Sequence, residues 1–308
     1  MKPIRYLTVC MNPTFQKTLC FSSIVGNTVN RMENHRLDIG GKGANTCRVL
    51  VQLGKPAVHF IQLGGQTRPL YLELCKADGL TVKWVESGSP IRFCYTLINH
   101  ADDSITELVE ESEPVEAGTE PRMMDQYEAL LPEQDFVIIS GTKARGFSGA
   151  LVPFMVRRAR EAEKRIILDI RGADLLGSLE YRPDLIKPNL FEFASTFAPQ
   201  LIQNNEIMEN EGRVKGEIRE ICRDLCAKYR CRIVLTRGAK SLWLAEGDRF
   251  SETAVEAIKP VNPIGSGDAF TAGLAAALGD GAPLEAAAAQ GIRCGRLNAG
   301  LLKIGSLL

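Results

Sequence analysis

Short uninterrupted apolar runs alternate along this chain with longer segments of helical period. Ile4 to Met11 reads as a strand closed by Asn12-Pro13, and Leu19 to Val25 as a second strand. A glycine-rich turn, Asp38 to Asn45, leads into a helix with Cys47, Leu50, Val51 and Gly54 on one face. Val58 to Leu63 is a strand and Leu70 to Ala77 a helix. The texture then changes. Thr81 to Glu86, Ile91 to Asn99 and Ser104 to Val109 follow closely and predict an inserted antiparallel meander. From residue 120 the alternation resumes: helix Met123–Leu131, strand Phe136–Ile139, helix Leu151–Glu163, strand Arg165–Asp169. Glu217 to Tyr229 is the clearest helix, with Ile218, Ile221, Cys222, Leu225, Cys226 and Tyr229 on one stripe. Ile233-Val234-Leu235 is a strand, and helices near 265–279 and 283–299 finish the chain.

Apolar strands alternating with helices imply an α/β fold: a mostly parallel sheet covered by helices on both faces. At 308 residues this is one large α/β domain or two smaller ones. Asn12, Ser140, Asp169, Asn189 and Thr236 each fall just after a strand. Ligands of such sheets bind beyond the carboxyl ends of the strands.

Charge changes the picture by exclusion. Thirty-seven basic residues balance thirty-seven acidic ones, so no global field favours nucleic acid or an anionic membrane. No apolar run approaches a bilayer's thickness, and Met1 to Cys10 lacks a signal-peptide core. Nine scattered cysteines suit reduced thiols in cytoplasm better than a disulfide framework.

The most informative chemistry is Asn262-Pro263-Ile264-Gly265-Ser266-Gly267-Asp268, directly before an alanine-rich helix. Glycines ahead of a helix aim N–H groups at an anion, and the helix dipole adds positive character. Asp268 would repel a resting phosphate. It makes sense if the turn holds a phosphoryl group while the carboxylate orients an attacking hydroxyl. Gly40-Gly41-Lys42-Gly43-Ala44-Asn45 offers close backbone approach, a cation and an amide; its spacing is neither a Walker P-loop nor a dinucleotide fingerprint. In Lys187-Pro188-Asn189-Leu190-Phe191-Glu192, Asn189 and Glu192 share a face. Spacing alone favours a helix cap with its capping-box partner, while an amide and a carboxylate also suit a hydrated magnesium ion. Thr236-Arg237-Gly238 is a strand-end turn that either touches nucleotide phosphates or is only a turn. Cys222 and Cys226 lie on an apolar stripe, which argues against a metal cluster with Cys231. His35, His59 and His100 have no partner motif for a hydrolase triad.

Taken together, these segments resemble the PfkB-type, ribokinase-like sugar kinases over nearly the whole chain. The phosphosugar branch, with 1-phosphofructokinase and tagatose-6-phosphate kinase, is the nearer match. Arg48-Val49-Leu50 after the glycine motif, Ile91-Arg92, Thr106-Glu107-Leu108-Val109-Glu110 and Asp184-Leu185-Ile186-Lys187-Pro188-Asn189 carry that likeness. The resemblance implies an ATP- and Mg²⁺-dependent kinase of a small phosphohexose. Asp268 would be the base, and Gly265, Ser266 and Gly267 the anion hole. Asn189 and Glu192 would organise Mg²⁺ through water. Lys187, Asn189, Thr236, Gly238 and Asn298 would serve the nucleotide. Asn12, Gln16, Gly41, Lys42, Asn45 and Ser140 would serve the sugar, and Arg92 a phosphate already on it. The resemblance implies, too, a single domain over 1–308 with a β-sheet lid built from about 14–35 and 81–112, and that lid would pair two subunits into a homodimer.

The chain also departs from that pattern. Gln16 stands where the family has a sugar-binding aspartate, and an amide cannot accept two charge-assisted bonds as a carboxylate can. Thr142-Lys143-Ala144-Arg145-Gly146 replaces a proline-rich loop, so Lys143 and Arg145 add positive charge beside the expected pocket. Ser266 replaces a usual alanine, which a hole made of backbone N–H groups tolerates. Two other readings stay open: a kinase of an unphosphorylated sugar or nucleoside, and a non-catalytic sensor on the same fold.

Overall fold

The computed structural model describes residues 3–308, so the first two residues of the expected 1–308 domain lie outside it. The amino-terminal strand β1 (Tyr6–Cys10) leads into β2 (Thr14–Phe21), β3 (Asn34–Gly40), helix α1 (Lys42–Gln52), β4 (Ala57–Leu63), α2 (Arg68–Ala77) and β5 (Thr81–Glu86). Next come β6 (Arg92–Asn99), β7 (Ser104–Val109), α3 (Thr119–Leu130), β8 (Phe136–Ser140), α4 (Leu151–Glu161), β9 (Arg165–Asp169) and α5 (Gly172–Ser178). The second half runs through β10 (Leu185–Ile186), α6 (Leu190–Phe197), a hairpin β11 (Ile202–Gln203) and β12 (Glu206–Ile207), then α7 (Glu211–Tyr229). It ends with β13 (Arg232–Leu235), β14 (Leu242–Glu246), β15 (Arg249–Thr253), α8 (Ser266–Gly279) and α9 (Leu284–Ala299).

Nine strands form the large sheet in the order β15-β14-β13-β10-β9-β8-β1-β4-β5, parallel except at β14 and β15. Its central strands β1, β8 and β9 are mostly apolar and buried along nearly their whole length, because both faces are covered. Successive side chains point to opposite faces. Val137 and Ile139 of β8 therefore enter one core, with Met123 of α3, Met155 of α4 and Ile218 of α7. Phe136 and Ile138 enter the other, with Leu50 of α1 and Ala272 of α8. The α7 stripe buries Ile218, Cys222 and Cys226 as expected. The described cysteines are free and buried, and no described cluster of His, Cys, Asp or Glu has metal-holding geometry. No described helix is long and apolar enough to cross a membrane.

A second sheet of four strands, β3-β2-β6-β7, stands beside the carboxyl ends of the large one. Its membership corrects the expected lid. Thr81–Glu86 is not in it: this strand pairs in parallel with β4 at the edge of the large sheet. The α2 crossover delivers it there, and half-buried Val82 and Trp84 pack on the sheet's core. The four-stranded sheet contains Asn34–Gly40 instead, a strand whose Asp38–Gly40 end reads in the sequence as part of a turn. Its first strand starts at Thr14 rather than Leu19, because Thr14-Phe15-Gln16-Lys17-Thr18 alternates without an apolar run. The expected meander is also mixed: β2 pairs with β6 in parallel and with β3 antiparallel. The hairpin β14–β15 had no counterpart in the hydrophobic pattern.

Candidate active site

Where the two sheets meet, a cleft of about 480 Å³ opens over the carboxyl ends of β1, β8 and β9. Its floor comes from short turns after strands and its roof from one face of the lid. Thr14 and Gln16 of β2, Arg92 and Cys94 of β6, and Glu107 and Val109 of β7 all line it. The register pairs Thr14 with Arg92 and Cys94 with both Gln16 and Val109. A period of two therefore puts all six on one face.

Asp268 sits in the first turn of α8, 7% exposed. Its Oδ2 accepts from Asn45 Nδ2 at 2.8 Å, and Oδ1 has no partner among the described residues. Burial lifts its carboxyl from 3.8 to about 6; nearby Lys42 opposes the rise and Asp169 adds to it. Gly265 caps the helix in the left-handed region at φ 81°, and a Cβ there would lie 2.5 Å from the Gly305 nitrogen. In this turn the Ser266, Asp268 and Ala269 N–H groups donate to the carbonyls of Pro263 and Gly265. Those of Gly265 and Gly267 donate to no acceptor among the described residues, so two donors remain for an anion at the helix start.

Beside the carboxylate lies a buried charge network. Lys42, the first residue of α1, places Nζ 3.2 Å from both Asp169 Oδ1 and Glu192 Oε1. Lys187 reaches Asp169 Oδ2 at 3.1 Å, and Thr271 of α8 donates to the same oxygen at 3.0 Å. Burial works against the charge on Lys42, but Asp169 and Glu192 outweigh it and hold its pKa above the ordinary value. Burial also penalises the Asp169 carboxylate, yet Lys187 and Lys42 keep its pKa below the usual range. Asp169 is thus a buried cleft residue at the centre of this network, which the sequence places at a strand end but assigns no task. Its one signal was a strand ending on a carboxylate. Arg171 and Glu107 line the cleft too, with no comparable signal beyond the lid segment that holds Glu107.

Asn189 and Glu192 form the capping box that their spacing favours: Asn189 Oδ1 accepts from the Glu192 N–H at 2.8 Å, and Glu192 Oε2 from the Asn189 N–H at 2.9 Å. The cap does not remove them from the site, because both line the cleft. Asn12, Gln16, Gly41, Lys42, Asn45, Arg92, Lys187 and Thr236 line it as well. Gln16 donates Nε2 to Thr96 Oγ1 at 2.7 Å.

Other expected residues fall elsewhere. Lys143 is not on the cleft; it pairs with Asp174 at the start of α5. Ser140 is buried at the end of β8 and does not reach the cleft. Asn298 is also buried. It donates to Ile264 O and Ser266 Oγ and accepts from the Ser306 N–H, so it braces the anion turn against the carboxyl-terminal segment. Ser266 contributes that brace and is not on the cleft wall. Gly238 lies on a second cleft of about 610 Å³, across Asn189 and Thr236, walled by Phe191, Met208 and Trp243.

A model of the pfkB family carbohydrate kinases matches residues 15–302. Phosphofructokinase-2 from Escherichia coli, solved with fructose-6-phosphate, superposes with a TM-score of 0.82 at 20% identity, covering 100% of this chain and 96% of that one. A possible 1-phosphofructokinase from Thermotoga maritima gives 0.85 at 22% identity, covering 97% and 93%. A putative ribokinase from Agrobacterium tumefaciens gives 0.75 at 16% identity, covering 98% and 93%. At such identities the solved structures establish a shared ribokinase-like fold.

Proposed function

Because the chain belongs to the pfkB family of carbohydrate kinases, we propose that it transfers the γ-phosphoryl group of ATP to a hydroxyl of a phosphohexose, in the manner of a 1-phosphofructokinase or a tagatose-6-phosphate kinase. The chain is a sugar kinase, a phosphotransferase with an alcohol acceptor, and kinases of this family take ATP as donor, generally with Mg²⁺. One observation carries the assignment of chemistry: a buried carboxylate, Asp268, stands one residue from the unspent N–H of Gly267 at a helix start.

Each residue then has a task. Asp268 Oδ1 orients the acceptor hydroxyl and takes its proton as the new bond forms. The N–H groups of Gly265 and Gly267 stabilise charge on the transferred group where water is excluded. Asn12 and Gln16 meet sugar hydroxyls, and Arg92 grips the phosphate that the acceptor already carries. Lys42 is held over the cleft by Asp169 and Glu192, so its charge is fixed before any substrate arrives. Asn189, Glu192 and Asp169 offer oxygen donors only, which suits magnesium. Both Glu192 oxygens are engaged, by Lys42 and by the Asn189 N–H, so Asn189 and Glu192 would hold the ion through its waters. Bound there, it would neutralise charge on the phosphates. Thr236 and the turn after it would meet the nucleotide.

The lid's outer face carries Phe93, Tyr95 and Leu97, half-buried, and exposed Leu108, which supports a homodimer closed through this sheet. Free buried cysteines support a cytoplasmic setting.

ATP turnover measured across a panel of sugars, sugar phosphates and nucleosides tests the proposal. The expected result is phosphorylation of a phosphohexose, with KM for that acceptor raised at least tenfold in Arg92→Ala. An unchanged KM would transfer the assignment to an unphosphorylated acceptor, and no turnover on any member would reject the phosphohexose kinase.

A further inference from the structure

Arg48 is fully buried in α1 and has no part in the steps above. Its Nη1 donates to Asn45 Oδ1 at 3.0 Å and to the carbonyls of Ile304 and Gly305 at 3.1 and 3.2 Å. Nη2 donates to Ile39 O at 2.8 Å, and Nε to Asp78 Oδ2 at 2.7 Å. The opposite end of the Asn45 amide, Nδ2, is the group that donates to Asp268.

An amide shows an acceptor on one side and donors on the other, whereas a guanidinium is a donor only. Arg48 therefore tolerates just the oxygen end of Asn45. The nitrogen end is left facing Asp268. Turned over, Asn45 would set its N–H₂ against the guanidinium and its carbonyl oxygen against the carboxylate. Gly305 closes the remaining side: at φ 52°, a Cβ there would lie 2.3 Å from the Asn45 Cβ. The Asn45 side chain is thus clamped between a donor, an acceptor and a backbone wall.

We propose that Arg48 is a positioning residue: by fixing which way the Asn45 amide faces, it keeps a donated hydrogen bond on Asp268 Oδ2 and leaves Oδ1 free for the acceptor hydroxyl. The functional meaning rests on Asp268 being the base, as proposed above. The charged groups that face Asp268 are Lys42, Asp169 and Lys187. Arg48 acts through the amide instead, with its own charge countered by Asp78.

The test reads the Asp268 carboxyl carbon by NMR over pH, assigned with Asp268→Asn, and needs no turnover. Arg48→Lys keeps the charge but loses the fork. It should raise the Asp268 midpoint by about one unit, the scale of one hydrogen bond to a charged group. Asn45→Leu should raise it similarly, and the double variant no further, since both act on one bond. Asp78→Asn, a milder change, should move it the same way by less, and only when Asn45 is present. Gln52→Ala, which loosens the carboxyl-terminal segment at Ser306 and Leu307, should lower the melting temperature and leave the midpoint in place. The proposal is overturned by an unmoved midpoint in Arg48→Lys, or in Asp78→Asn should the first variant not fold. Additive shifts in the double variant, or a midpoint that moves with Gln52→Ala, would overturn it equally. If the wild type phosphorylates nothing, the kinase assignment fails while this titration still decides the role of Arg48.

Discussion

Two carboxylates about the same lysine are pushed in opposite directions. Asp169 has Lys187, Lys42 and Thr271 to compensate its burial, and its charge is held. Asp268 has one amide and a more distant cation, so burial wins and its carboxyl rises to about 6. A base must be ionised to accept a proton. We therefore expect kcat/KM to fall roughly tenfold per unit as pH drops below about 6, read from a pH–rate profile. The stability consequence has the opposite sense. A carboxyl raised in the folded state contributes stability in full below its unfolded pKa and loses it as pH rises through the folded one. At neutral pH the ionised Asp268 should cost about 2–3 kcal/mol. Asp268→Asn should accordingly fold, lose about 10²–10⁴-fold in kcat, and resist urea better than wild type at pH 7.5, with the gain vanishing near pH 4. Lys187→Met should do the reverse to the fold. It leaves the buried Asp169 charge underpaired, at a cost of about 3–5 kcal/mol in denaturant unfolding.

At the scale of an element, the start of α8 separates two glycines that look equivalent in the sequence. Gly265 has φ 81° and the Gly305 backbone 2.5 Å from where a Cβ would sit. Gly267 has nothing within 4 Å of that position. Gly265→Ala should lose stability by at least about 1–3 kcal/mol, the scale of a strained φ, and lose activity with it. Gly267→Ala should melt like wild type and, if the phosphoryl group binds at this helix start as proposed, still lose kcat, because the methyl is added on the cleft wall. Differential scanning fluorimetry beside steady-state kinetics separates the two. In the Asn189–Glu192 pair, capping box and cleft-lining pair are one arrangement, with the cap fixing a carboxylate whose other oxygen holds Lys42.

The whole molecule sets the four-stranded sheet over the carboxyl ends of the large one, with half-buried and exposed apolar side chains on its outer face. If the lid joins two subunits, sedimentation should give twice the 33.8 kDa chain mass, and Leu108→Glu should yield a monomer. The α/β class, the helices and the central strands were legible because both sheet faces bury apolar side chains, which leaves continuous apolar runs. The anion turn, the glycine loop and the Lys187–Glu192 segment were legible because each is contiguous, with its geometry set by local backbone chemistry. Lid membership was not. Thr81–Glu86 alternates like its neighbours, and only the α2 crossover and its pairing with β4 settle its sheet. Lys143 shows the same limit, since its positive charge was visible but its partner Asp174 lies across a fold contact. Asp169, 127 residues from Lys42, gains its role only when β9 ends beside α1. By itself the sequence determined the fold class and the phosphoryl-transfer chemistry, both written in short segments. The tertiary structure alone decided which distant charges are compensated, with Asp169 held ionised and Asp268 left underpaired, because Coulomb energy and desolvation depend on distance and burial in space.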